Sequence, residues 1–191
     1  DFHSPHWDYS AHIVPPISAS AAYRLASAER GAQGFLAFAN PELNRHTQPP
    51  IYIYDRLDEP SRSMLEDNLA AAEEGECAVC FATGMGAITA SLGVLAKAGD
   101  TVLAHRTMYG CTYSLMANWL PRFGITVKFV DMKDVAAIER MMTEDWVALY
   151  FETPSNPILE IVDLASIRQA VDRANAARNP KKRKIFVVVD N

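Results

Sequence analysis

Three short segments hold side chains able to do chemistry, and each directly follows a continuous apolar run. After Cys77–Ala82 comes Thr83-Gly84-Met85-Gly86-Ala87, which leads into a helical pattern. Small residues let backbone approach an anion, and a helix start offers unpaired N–H groups at the positive end of its dipole. This is a phosphate cradle; the alternative is a strand–helix turn that is Gly-rich only for tightness. It is not a phosphate-binding loop of the Gly-Lys-Ser/Thr kind, and it lacks the third glycine of the dinucleotide fingerprint, where Thr89 stands. After Trp146–Phe151 comes Glu152-Thr153-Pro154-Ser155-Asn156-Pro157. Its two prolines stiffen the backbone around Asn156 and aim that side chain; the alternative is a turn without a ligand. After Ile185–Val189 comes Asp190-Asn191. An acid at the end of a buried strand is costly unless a cation pairs with it, although it could equally cap a following helix. A phosphate cradle, an aimed Asn and a strand-end Asp together suit an aromatic phosphate with a protonated ring nitrogen. Pyridoxal phosphate has that chemistry, because an Asp that keeps the ring nitrogen protonated makes the ring an electron sink.

The elements that position these residues alternate. Helical patterns are predicted over Ser61–Glu74, Gly86–Lys97, Thr112–Phe123 (disturbed by Pro121), Val135–Met142 and Leu164–Ala177, the last with Asp163 as N-cap. Strands are predicted at Cys77–Ala82, Thr101–Ala104, Ile125–Val130, Trp146–Phe151 and Ile185–Val189. Alternation of this kind implies an α/β fold, a mostly parallel sheet with helices on both faces, and the continuously apolar strands predict burial on both sides. In such sheets ligands lie beyond the carboxyl ends of the strands, where all three segments fall.

Residues 1–60 differ. They contain Pro5, Pro15, Pro16, Pro41, Pro49, Pro50 and Pro60, and only Ala19–Glu29 could be a short helix. The region reads as an extended N-terminal arm for subunit contacts, with Trp7, Ile13, Val14, Ile51 and Ile53 needing cover elsewhere. Residues 61–191 read as the cofactor-binding α/β domain. Because the chain stops just after its most apolar strand, it is expected to be a segment of a longer polypeptide, incomplete at its C-terminal end.

Further motifs occur in a fixed order. Tyr54-x-Arg56-x-x-Glu59-Pro60-Ser61 resembles the Tyr-x-Arg-x-x-Asn-Pro-Thr of the Cys/Met-metabolism group of pyridoxal-phosphate enzymes, with Glu59 for Asn and Ser61 for Thr. Phe81-Ala82-Thr83-Gly84-Met85-Gly86-Ala87-Ile88 resembles that group's Phe-Ala-Ser-Gly-Met-x-Ala-Ile, and Tyr109-Gly110-Cys111-Thr112-Tyr113 its Tyr-Gly-x-Thr-Tyr. The Phe151–Pro157 and Val187–Asn191 segments match as well. The group includes methionine γ-lyase, cystathionine γ-lyase and γ-synthase, and O-acylhomoserine sulfhydrylase. The resemblance covers roughly residues 50–191, and an ordered set is far more specific than any one motif.

The resemblance implies the large domain of the aspartate-aminotransferase-like fold type I, and it implies roles. Gly84 and Met85 would bind the phosphate through backbone N–H groups. Tyr54 and Arg56 would reach the phosphate of a neighbouring subunit's cofactor, in a homo-oligomer that is a dimer of dimers. Tyr109 would stack on the ring and serve as acid or base near the leaving group, for which a nearby cation such as the partner's arginine would have to lower its pKa if it is to act as a base. Asn156 would bond the ring hydroxyl, and Asp190 the ring nitrogen. Cys111, after Tyr-Gly, is typical of the methionine γ-lyases and would lie near the substrate; the alternative is a small space-filling residue. The implied activity is γ-elimination from methionine-like or homocysteine- and cystathionine-like amino acids, with γ-replacement as the alternative. The lysine that holds the cofactor in this family lies on a later Ser-x-x-Lys segment, and no lysine here matches it.

Other readings are weighed against this one. A Rossmann-like nucleotide-binding domain would need an acid after the next strand, where Ala104-His105-Arg106 stands. A non-catalytic interaction protein on the same fold would lack the downstream lysine. Cys77 and Cys80 have a metal-pair spacing, but on a strand they would face opposite sides and there is no second pair, so no metal site is expected. His3 and His6 read as solvated, Lys181-Lys182-Arg183-Lys184 as a solvated loop, and Met116, Met141 and Met142 as core filler. The formal charge is 18 − 23 = −5, which argues against nucleic acid. No apolar run approaches a membrane span. Three cysteines make no disulfide framework, which favours a reducing, cytoplasmic setting.

Overall fold

The computed structural model describes residues 13–40, 51–142 and 145–191. The chain divides into two units, one running to Cys80 and one from Phe81 to Asn191. The readings made for Trp7, His3, His6, Pro5, Pro41, Pro49 and Pro50 lie outside the described residues.

In the first unit, helix α1 spans Ala28–Ala39. The helix expected at Ala19–Glu29 is therefore displaced: residues 19–25 are non-helical, and Ala22 forms an isolated antiparallel bridge with Tyr54. The reason is a cap followed by two close approaches. Ser27 accepts from Arg30 N–H at 3.2 Å and starts the helix. Gly31 and Gly34 then let neighbours come in, because a Cβ on Gly31 would lie 2.8 Å from Leu25 and one on Gly34 2.8 Å from Ile53. Two glycines hide a helix from propensity rules, and packing restores it. Ile51 and Ile53 thus find their cover within this unit, whereas Ile13 and Val14 stay exposed. Helix α2 spans Pro60–Ala72 with Pro60 in its first turn, and the Glu59 carboxylate caps it by accepting from Ser61 N–H at 3.0 Å and from Arg62 N–H. Cys77–Ala82 is not a strand: no described residue pairs with it, and Cys80 N–H donates to Glu66 Oε1 at 2.8 Å instead.

The second unit is built on a parallel sheet. Helix α3 spans Gly84–Leu95, β1 Thr101–His105, α4 Gly110–Ser114, β2 Thr126–Val130, α5 Val135–Met141, β3 Trp146–Glu152, α6 Leu164–Ala177 and β4 Phe186–Asp190. The strand order is β2-β1-β3-β4, every pairing parallel. After α4 the chain continues as one π turn, Leu115–Trp119, and a 3-10 turn, Leu120–Phe123. The single helix expected over Thr112–Phe123 is thus three geometries in series. Pro121, with no N–H to give, sits at the start of the 3-10 turn. Asp163 caps α6 as expected, accepting from Ser166 N–H at 3.1 Å.

Alternation along the strands divides the core between two faces. Val102, Ala104, Ala148 and Tyr150 pack with Leu92 of α3 and with Met116 and Leu120. Leu103, Leu149 and Phe151 pack with Ile138 of α5 and with Ile167 and Val171 of α6. Trp146 and Val147 break the alternation, because the register between β1 and β3 shifts there: Thr101 faces Trp146, but Val102 faces Ala148. The extra residue is a bulge, and it turns Trp146 to the α5–α6 face. The two central strands are buried throughout, as their apolar runs implied. The edge strands β2 and β4 are not, and Phe186 and Val189 of β4 are exposed. Met116 is core, whereas Met141 is exposed. Leu149→Ala is expected to destabilise the protein by about 2–5 kcal/mol, because Leu149 is fully buried between rigid elements that cannot collapse into the void; chemical denaturation checks this.

The basic loop is only partly solvated. Arg183 donates to Leu95 O at the end of α3 at 2.7 Å and pairs with the buried Asp100. Among the described residues no helix is long and apolar enough to cross a membrane.

Candidate functional site

At the carboxyl ends of β3 and β4 the sequence segments come together. Glu152, the last residue of β3, lies opposite Asp190, the last of β4. Glu152 is 4% exposed. Its Oε1 accepts from Tyr109 N–H at 2.6 Å, and its Oε2 accepts from Asn156 N–H at 3.0 Å. One buried carboxylate therefore ties the loop before α4 to the loop after β3. Both Thr153–Pro154 and Asn156–Pro157 are cis. Asn156 itself is exposed.

Asp190 is half-buried. Tyr150, fully buried on β3, donates its hydroxyl to Asp190 Oδ2 at 2.8 Å. Burial, then the hydrogen bond to Asp190, pushes the Tyr150 phenol well above its ordinary pKa, so it remains a donor. The backbone here is also tied, with Thr153 N–H donating to Asp190 O at 3.2 Å and Asn191 Nδ2 to Thr153 O at 2.7 Å.

Tyr109 immediately precedes α4 and is 45% exposed. The Cys111 thiol lies 3.3 Å from its hydroxyl. The phenol pKa is raised, first by this contact. With Cys111 beside it, the Tyr109 proton is held more firmly than usual.

The start of α3 carries the cradle. Thr83 Oγ1 accepts from Gly86 N–H at 3.0 Å. That leaves Gly84 and Met85, the first two helical residues, with N–H groups that no intrahelical carbonyl can reach. A Cβ on Gly84 would meet nothing within 4 Å, so the space beside this residue is open. Met85 Sδ lies 3.7 Å from Thr112 Oγ1, which joins the cradle to α4. Gly84, Met85, Tyr109, Cys111, Asn156 and Asp190 thus belong to one connected set of strand ends and helix starts. Tyr54 and Arg56 belong to the first unit, where the Arg56 guanidinium lies over the Tyr54 ring at 5.5 Å.

The position where a Rossmann domain would hold its ribose acid is a fully buried histidine. Met132 N–H donates to His105 Nδ1 at 3.1 Å, and His105 Nε2 lies 3.3 Å from Glu160 Oε2. Glu160 also pairs with Lys133, and chiefly for that reason its carboxyl titrates at about 2. This cluster ties the loop after β3 to the end of β1. Sequence reasoning missed Glu152, Tyr150, His105 and Glu160. Glu152 carried a readable signal, an acid closing an apolar strand, which is the signal that singled out Asp190.

The sequence model of the Cys/Met metabolism PLP-dependent enzymes matches residues 4–191. An L-methionine γ-lyase of Fusobacterium nucleatum subsp. polymorphum is 40% identical over 179 residues, which is 94% of this chain and 41% of that protein. An O-succinylhomoserine sulfhydrylase of Mycobacterium tuberculosis is 37% identical over 125 residues, 65% of this chain and 31% of the relative. Among solved structures, one assigned as an O-acetylhomoserine (thiol)-lyase of Campylobacter jejuni, carrying a pyridoxyl-lysine phosphate, superposes with a TM-score of 0.76 at 29% identity, over 92% of this chain and 39% of its own. A cystathionine γ-lyase of Lactobacillus plantarum, complexed with L-serine, gives a TM-score of 0.73 at 28% identity over the same shares. The chain spans about two fifths of the length of these lyases. With a family match from residue 4 to residue 191 and relatives of up to 40% identity across nearly all of that span, this chain belongs to the Cys/Met metabolism PLP-dependent enzymes.

Proposed function

We propose that the protein containing this chain is a carbon–sulfur lyase that acts by γ-elimination on methionine-like or homocysteine- and cystathionine-like amino acids. The observation that carries the reading is the Tyr109 phenol, 3.3 Å from the Cys111 thiol on a loop held to the Asn156 loop by Glu152. A proton held at that atom suits departure of a sulfur leaving group, which must be protonated as it goes. The 40% identity to an L-methionine γ-lyase supports the same choice.

The residues present fit pyridoxal phosphate. The start of α3, open beside Gly84, offers two N–H groups and a positive dipole end to a phosphate. Tyr150 occupies Asp190 Oδ2 while no described residue takes Oδ1, so one oxygen is left to face a ring nitrogen. When bound, the cofactor supplies an electron sink for negative charge developing at the substrate Cα. The chain's own residues bind and orient it. Gly84 and Met85 bind the phosphate, Asn156 orients the ring hydroxyl, Asp190 retains the ring-nitrogen proton and Tyr109 donates a proton to the departing group.

Residues 1–60 would serve subunit contacts in a dimer of dimers, with Tyr54 and Arg56 offered to a neighbouring subunit's phosphate. Arg suits that task because its planar fork donates two charge-assisted bonds. Arg56→Ala is expected to weaken cofactor binding by about 1.5–3 kcal/mol, measured by titrating the cofactor-free protein. A fully active monomer on a sizing column rules out this assembly. Three free cysteines suit a reducing cytoplasm.

The activity is tested on the full-length protein, which should be yellow and lose its colour on borohydride reduction. Methionine, homocysteine and cystathionine should each release ammonia and a keto acid without added thiol. The likeness to an O-succinylhomoserine sulfhydrylase favours a second reading, γ-replacement. Product formed only from an O-acylhomoserine together with sulfide would establish that reading and exclude elimination as the main reaction.

A further inference from the structure

Glu152 is assigned no contact with cofactor or substrate above, yet it is the most buried acid at the strand ends. Burying a carboxylate is costly, and among the described residues no cation pairs with it. Its two oxygens go instead to two backbone N–H groups, each from the loop that carries one of the proposed ring-facing side chains: Tyr109 at 2.6 Å and Asn156 at 3.0 Å. A neutral amide cannot replace it. Gln offers one acceptor and would turn an NH2 group toward the other N–H. The place therefore demands an acid, although nothing there demands a charge for pairing.

We propose that Glu152 is a positioning residue, a two-pronged staple that holds the Tyr109 and Asn156 loops at a set separation so that both side chains address one ring. This rests on the pyridoxal-phosphate reading. The staple works without touching the cofactor. It fixes backbone at two points, and a side chain moves with its backbone. Its position makes it rigid as well, since it ends β3, a strand buried along its whole length and laddered on both sides.

The test uses the full-length protein with and without pyridoxal phosphate, comparing wild type, Glu152→Gln and Glu152→Asp. Glu152→Gln is expected to weaken cofactor affinity about tenfold, in the range seen when a residue that orients a ligand-binding group is removed. The circular dichroism of the bound-cofactor band, which reports how asymmetrically the ring is held, should fall with it. Glu152→Asp keeps both acceptors but shortens their reach by one bond, and should lie between. On an Asn156→Ala background the cost of Glu152→Gln should shrink, because one of the positioned groups is gone. A variant with wild-type affinity and dichroism overturns the proposal, as does a cost undiminished by Asn156→Ala. If neither variant folds without cofactor, Glu152 is a residue of the fold and the proposal falls. A wild type that binds no pyridoxal phosphate removes the functional reading itself, whereas an unaffected variant beside a cofactor-binding wild type removes only the staple.

Discussion

Asp190→Asn is expected to lower turnover by at least about 10²-fold while leaving the fold intact, in the range seen when one preorganised electrostatic contact is removed. The two side chains have nearly the same shape, so the ladder of β4 with β3 and the Thr153 N–H to Asp190 O bond should persist. The difference lies in which atom faces the ring. Tyr150 is a donor at 2.8 Å, so it takes the amide oxygen of an asparagine at this position. The amide NH2 is then left pointing where Oδ1 was. A donor there can satisfy a ring nitrogen only if that nitrogen has lost its proton, and the electron sink is lost with it. Far-ultraviolet circular dichroism should be unchanged and turnover should collapse. Near-native turnover by the Asn variant would mean that Asp190 does not hold the ring-nitrogen proton.

Tyr109→Phe is expected to separate chemistry from binding. The ring and its stacking area remain, but the proton is gone. Loss of the γ-substituent should slow by about 10²–10⁴-fold if Tyr109 is the general acid, whereas exchange of the substrate Cα proton with solvent and the affinity for cofactor should change little. Equal losses in exchange and elimination would make Tyr109 a positioning residue. The Cys111 contact adds a pH signature. Because that neighbour raises the phenol pKa, a general-acid role for Tyr109 would extend above the ordinary phenol range. Activity that depends on this proton is lost as pH rises through the phenol pKa. Cys111→Ala removes the cause of the shift and should move the alkaline limb of the rate profile to lower pH. A limb that stays in place would detach Cys111 from the acid.

The alternation of apolar runs and amphipathic stretches determined the α/β character, the parallel sheet and the location of α6 with its Asp163 cap, because burial periodicity and capping are local properties. The same local chemistry exposed the cradle at Thr83–Ala87 and the acid at Asp190. Tertiary structure decided what depends on partners distant in sequence. Cys77–Ala82 reads as a strand, but a strand exists only through its ladder, and no described residue supplies one. The helix at Ala28–Ala39 is written with two glycines and becomes legible only once Leu25 and Ile53 are seen against them. Glu152 stood in the sequence as one letter of a motif. It became a two-loop staple because the fold brings residues 109 and 156 to the end of the same strand. Tyr150 shows the division most plainly. In the sequence it is one position in an apolar strand run, but burial and the Asp190 carboxylate of another strand, 2.8 Å from its hydroxyl, push its phenol pKa up. Residue type and local pattern are written along the chain, whereas the charge and hydrogen-bond environment that tunes a titratable group is a through-space quantity, assembled only when the strands and loops meet.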